Sequence, residues 1–106
     1  MNILCFLDSL TNKIFKILPL KEQNNYFLFS YLNSLQIELI GALITFPKLK
    51  NSSNYLSIIN TVNFLDDNTF SNQQCKREVF KIINETLPKV KKEVGDDIGN
   101  WLGFIY

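Results

Sequence analysis

Residues 25–46 read NYFLFSYLNSLQIELIGALITF, and the spacing inside this stretch decides the fold class. Leu28, Leu32, Leu35, Leu39, Ala42 and Phe46 recur at steps of four and three, the period of one face of an α-helix. The stretch contains no lysine and predicts a helix from about Asn25 to Phe46. Asn24 or Asn25 supplies an N-cap oxygen, and Pro47, which has no N–H to donate, closes the far end. Gly41 costs ~1 kcal/mol relative to alanine in a helix interior. Either another helix crosses closely there or the helix bends.

The same stepping extends outward in both directions. Upstream, Ile3, Leu7, Leu10, Ile14 and Ile17 form one face, with Asp8, Asn12, Lys13 and Lys16 on the other side. Pro19 disfavours helix at Leu18, so this helix is expected to end there, and Lys21 to Asn25 read as a polar loop. Downstream, Asn51-Ser52-Ser53-Asn54 is a capping cluster ahead of Tyr55, Ile58, Ile59, Val62 and Leu65, with Asp66-Asp67-Asn68 as the stop. Ser71 and Gln74 have capping-box spacing and introduce Cys75, Val79, Ile82, Ile83, Leu87, Val90 and Val94. Pro88 should kink this last helix or split it after Thr86, because its ring clashes with the carbonyl four residues back. Gly95 reads as a helix-ending C′ residue, and Asp97 as the cap of a short further helix carrying Ile98, Trp101, Leu102 and Ile105 on one face. Strand-like alternation does not persist anywhere. The reading is a single all-α domain over residues 1–106: an antiparallel four-helix bundle with a short additional C-terminal helix.

Composition narrows the function classes. The chain of 106 residues is 46% hydrophobic with a net charge of +1, so no dominant attraction to nucleic acid or to an anionic membrane is expected. No run approaches the roughly 20 consecutive apolar residues of a membrane span, so stable membrane insertion is not expected either. Thirteen Asn, twelve Ile and ten Lys against one Arg and one Ala are what AT-rich codons produce, pointing to an AT-rich bacterium or its phage or plasmid. The start, Met1 to Asp8, has no basic region and its apolar run is cut by Asp8. It does not read as an export signal, and a cytoplasmic location with Cys5 and Cys75 as reduced thiols follows.

The absence of histidine removes the commonest general base and metal ligand, and with it Cys–His and Ser–His–Asp nucleophile systems. Gly41, Gly95, Gly99 and Gly103 make no phosphate loop. Two distant cysteines cannot close a zinc site, and the adjacent pairs Asp66-Asp67 and Asp96-Asp97 lack the spacing of a calcium loop. Glu78 and Glu85 share a helix face, where a solvated pairing with Lys81 accounts for them. The expectation is a protein that is not an enzyme, with no catalytic residue, no cofactor and no metal.

Three features remain for binding. Tyr26-Phe27-Leu28-Phe29-Ser30-Tyr31 puts four aromatics around a helix start, and Tyr26 and Phe29 must flank or leave the core face. Burial under the first helix and the C-terminal segment is the expected outcome, and an aromatic contact patch is the alternative. The basic stretch from Lys76 to Lys92 is interleaved with Glu78 and Glu85, which makes it a solvated helix face rather than a nucleic-acid site. Residues 96–106 join Asp96 and Asp97 to Trp101, Phe104 and Tyr106, either as a segment closing the open end of the bundle or as an acidic–aromatic binding surface. With the Asp66-Asp67 loop, these residues are the sequence's candidates for a partner site.

The runs Lys13-Ile14-Phe15-Lys16-Ile17-Leu18-Pro19-Leu20, Leu32-Asn33-Ser34-Leu35-Gln36-Ile37-Glu38-Leu39 and Cys75-Lys76-Arg77-Glu78-Val79-Phe80-Lys81 resemble small helical immunity proteins. Those proteins are carried by AT-rich bacteria beside polymorphic or contact-dependent toxins. The resemblance covers about two thirds of the chain and lies in size, composition and helicity; it transfers no binding motif. It implies a cytoplasmic antitoxin, a monomer that neutralises a cognate toxin domain, such as a nuclease, in a 1:1 complex. A bacteriocin-type immunity protein working near the membrane and a phage-encoded inhibitor of a host defence nuclease are the alternatives.

Overall fold

The structure is a computed structural model and describes residues 2–67 and 69–95. Helix α1 (Ile3–Phe15) begins at Asn2, whose side-chain oxygen accepts from the Cys5 N–H at 2.8 Å. A single non-helical residue, Lys16, separates it from α2 (Ile17–Glu22). Helix α3 (Leu28–Thr45) is the longest element, and a 3-10 turn (Pro47–Asn51) connects it to α4 (Ser53–Val62). Helix α5 (Asn72–Lys81) continues through a π-turn (Ile82–Thr86) into helical residues 87–95. Among the described residues there is no strand, and the all-α expectation is met.

The four long helices run alternately up and down. Phe6 of α1 lies against Phe46 at the end of α3, ring centroids 5.6 Å apart. Lys91 pairs with Asp8 at 2.7 Å, and Glu93 bonds Ser52 and Asn54, so the last described turn lies beside the starts of α1 and α4. The opposite end is closed by α2, which packs on α3 and α5, and by the turn after α4. Of the core faces read from the sequence, Ile3, Phe46, Ile59 and Ile83 are half-buried, and the rest are buried: Leu7, Leu10, Ile14 and Ile17; Leu28, Leu32, Leu35, Leu39 and Ala42; Tyr55, Ile58, Val62 and Leu65; Cys75, Val79, Ile82, Leu87, Val90 and Val94. All join one cluster, with Phe6 and Leu49 added. Each such aliphatic side chain contributes about 1.5–3 kcal/mol on transfer from water.

The prolines and loops behave differently from the sequence expectation. Pro19 does not lie beyond a helix that ends near Leu18. The first helix stops at Phe15, and Pro19 sits in the first turn of α2, where its missing N–H would have had no partner anyway. Lys21 and Glu22 are helical rather than loop. Asn24 then takes a left-handed backbone (φ 49°), a conformation asparagine tolerates better than most side chains. The next helix starts at Leu28, later than Asn25, with Asn25 Oδ1 instead accepting from the Phe27 N–H at 2.8 Å. Helix α4 ends at Val62, and Leu65 is buried from the turn that follows.

Pro88 does not split its helix. The Leu87 N–H reaches Ile82 O, five residues back, and this widened turn accommodates the proline while the helix continues. Gly95 is helical without a positive φ and does not act as a left-handed stop. The short helix expected from Asp97 lies outside the described residues.

Candidate functional site

The face of α3 opposite its core contacts carries Phe29, Ile37, Ile40 and Ile44, which are 68%, 64%, 48% and 80% exposed. With Asn33 between Phe29 and Ile37, they step by four, four, three and four, so all lie along one stripe of the helix. Leu28, Leu32, Leu35 and Leu39 bury the other side. The helix is therefore apolar on two faces while only one meets the core. Its single charged residue, Glu38, is held by Lys13 of α1 and points away from the stripe.

At the α2 end the stripe meets a cluster of aromatic and polar groups. Tyr26 stacks on Phe27 with centroids 4.2 Å apart, and both rings face solvent. Phe29, Asn33 and Gln36 share a small cleft with Val62, Asn63 and the half-buried Asp66. Gln36 Oε1 is sealed from solvent and accepts no hydrogen bond within the described residues. Phe64, on the same turn as Asn63 and Asp66, is 59% exposed. Asp67 is tied back locally: its carboxylate accepts from the Thr69 backbone and hydroxyl, and its carbonyl accepts from Lys21 at 3.2 Å. Those bonds, the Thr69 backbone first, hold the Asp67 carboxyl below the usual carboxylate range.

Two sequence candidates are thus brought together and others are not. Phe29 and Asp66 line one cleft, with Tyr26 two residues ahead of Leu28 on the same end. The expectation that Tyr26 and Phe29 are buried under the first helix is corrected: a helix starting at Leu28 turns Leu28 inward, which leaves Phe29 on the outer side and Tyr26 83% exposed. Asp96, Asp97, Trp101, Phe104 and Tyr106 lie outside the described residues. Glu93, two residues before the last described one, lies beside the N-terminus of α4, whereas Asp66 and Asp67 follow its C-terminus. Ten helical residues separate these ends by about 15 Å. Ile37, Ile40 and Ile44 escaped the sequence reading. Their signal was present as a second apolar stripe on a helix already supplied with one.

Among the described residues, no group of three His, Cys, Asp or Glu side chains comes together. Cys5 is exposed and Cys75 buried, both free, and burial pushes the Cys75 thiol up, away from reactive thiolate. Burial likewise raises the Tyr31 and Tyr55 hydroxyls, each donating to a backbone carbonyl at 2.6 Å, so both remain neutral hydrogen-bond donors at neutral pH. By length and composition alone, α3 falls within the range of a membrane-crossing helix, with 28% of it buried in the domain. No known protein family, curated protein or solved structure matches the chain.

Proposed function

We propose that this protein acts by stoichiometric binding to another protein, as an immunity protein that neutralises a cognate toxin domain, and that α3 is the binding element. The observation carrying this reading is the stripe of Phe29, Ile37, Ile40 and Ile44 on the solvent side of a helix whose other side already serves the core. Water-exposed apolar rows of this kind are costly to solubility and mark surfaces that another molecule covers. The partner presents an apolar ridge to the isoleucines and a cationic group to Asp66 beside Phe29, as the basic active site of a nuclease would. Affinity then comes from desolvating the isoleucines and Phe29, and orientation from the carboxylate at one end.

The test is neutralisation of a toxin domain encoded beside this chain. Co-expression should rescue growth, and calorimetric titration should give a 1:1 complex. Ile40→Asp with Ile44→Asp should abolish rescue and weaken binding by several kcal/mol while circular dichroism stays helical, since both side chains point to solvent. Full protection by the double variant would remove α3 as the binding element. Flotation of the protein with phospholipid vesicles, lost in the same variant, would favour the membrane-associated alternative instead.

A further inference from the structure

The cleft between α3 and the end of α4 carries an inference that rests on the protein-binding role proposed above and names one group of the partner. Phe29, Leu32, Asn33 and Gln36 fall on one side of α3 and form one wall. Val62, the last residue of α4, its C-cap Asn63 and Asp66 form the other. The cleft holds about 90 Å³, well above the roughly 10–15 Å³ that a single water needs. Its chemistry favours a cation with several N–H groups to give. The half-buried Asp66 carboxylate makes no hydrogen bond or ion pair among the described residues. Lys21, across Asp66 from the cleft, donates to the Asp67 carbonyl instead, and no lysine or arginine lines the cleft itself. Gln36 Oε1 is sealed from solvent with no donor among the described residues, and an unpaired buried acceptor is costly. The C-terminus of α4 adds the negative end of a helix dipole, and Phe29 an exposed aromatic ring.

We infer that this cleft receives an arginine side chain of the partner protein. The guanidinium donates to the Asp66 carboxylate and to Gln36 Oε1, its plane lies against the Phe29 ring, and its methylene stem runs past Leu32 and Val62. The terminal torsion of a glutamine is soft, so the Gln36 amide turns its oxygen into the cleft when a donor arrives. Arginine fits this set better than lysine. Its rigid fork of donors reaches two acceptors at once, and its weakly hydrated plane stacks on an aromatic face. A lysine ammonium is a compact, strongly hydrated charge that loses more on leaving water and has no plane to stack.

Nitrogen-15-labelled protein titrated with acetyl-arginine amide, and separately with acetyl-lysine amide, tests this without the partner. The side-chain amide signals of Asn33, Gln36 and Asn63 should shift saturably with the arginine probe, and the lysine probe should bind several-fold more weakly. Asp66→Asn and Gln36→Met should each weaken the arginine probe several-fold with far-UV circular dichroism unchanged. No saturable shift up to the solubility limit of the probe, shifts centred elsewhere, equal responses to the two probes, or a response that both variants retain would overturn the assignment. The toxin reading is separable from it. Neutralisation lost in the Ile40→Asp, Ile44→Asp variant but kept in Asp66→Asn and Gln36→Met would leave a toxin-binding helix and remove the arginine. Arginine bound in the cleft with no toxin domain neutralised would keep the arginine site and remove the toxin as its source.

Discussion

Asp67 Oδ1 accepts from the Thr69 N–H at 2.9 Å and from its hydroxyl at 2.8 Å, a local knot that closes the turn between α4 and α5. Both donors favour the ionised carboxylate and lower its pKa in the folded state. A depressed folded value means that the contribution to stability is fully present above the unfolded-state value of about 3.9 and is lost as pH falls through the lower folded value. Asp67→Asn should therefore flatten the acid limb of a stability-versus-pH curve measured by urea unfolding, with parent and variant converging at the lowest pH. Parallel curves would show that Asp67 contributes no such term. Tyr55 shows the opposite strategy in the core. It is fully buried, and its hydroxyl is satisfied by Leu39 O, so a large polar side chain spans from α4 to α3 without an unpaired atom. The sequence placed Tyr55 on the core face, but its partner on another helix belongs to the tertiary arrangement.

Helix ends show how far local sequence carries. The Ser71–Gln74 capping box forms with both of its bonds, at 2.8 and 3.1 Å, because every atom it needs lies within four residues. Ser52 caps α4 as its sequence neighbourhood suggests, accepting from the Tyr55 N–H at 3.1 Å. The same hydroxyl also donates to Glu93, 41 residues away, whose other oxygen accepts from Asn54. That carboxylate stands at the positive end of the α4 dipole and ties the last described turn to it. Glu93→Gln should cost about 1–2 kcal/mol in urea denaturation, from weakened charge-assisted bonds at a helix start. Combined with Ser52→Ala, the losses should be non-additive by about 1 kcal/mol, since the two residues share one bond. Strict additivity would show that the contact is not formed. Pro19 and Pro88 teach the converse. Pro19 falls in a first turn that needs no N–H, and Pro88 follows a π-turn that interrupts the α-helical ladder without ending the helix. Proline excludes one hydrogen bond; where the remaining bonds go depends on how the flanking helix is packed.

Across the whole molecule, every described helix contributes to one buried cluster, and Leu7, Leu39, Ile58, Val79 and Leu87 are completely inaccessible within it. No helix retains an independent core. Thermal unfolding should therefore be a single cooperative transition, with the calorimetric enthalpy equal to the van't Hoff enthalpy. A separate early transition in the scanning calorimeter would mean that part of the bundle unfolds by itself. At this scale the exposed isoleucines of α3 also acquire their meaning. An apolar residue on a helix is ordinary, and a solvent-facing row of them is recognisable only once the positions of α1 and α4 are known.

The sequence by itself determined the helical class, the four core-facing rows and the capping box, because each depends on a periodicity or a bond spanning a few residues. It also carried the chemical exclusions that follow from having no histidine. Tertiary structure decided that the second apolar face of α3, with Phe29, Ile37, Ile40 and Ile44, stays exposed among the described residues, since local sequence does not say how many faces of a helix its neighbours reach. It decided, too, that Phe29 and Asp66 share a cleft. Contacts between residues 37 positions apart are set by how helices stack, and stacking follows from burying the greatest apolar area that four connected helices allow.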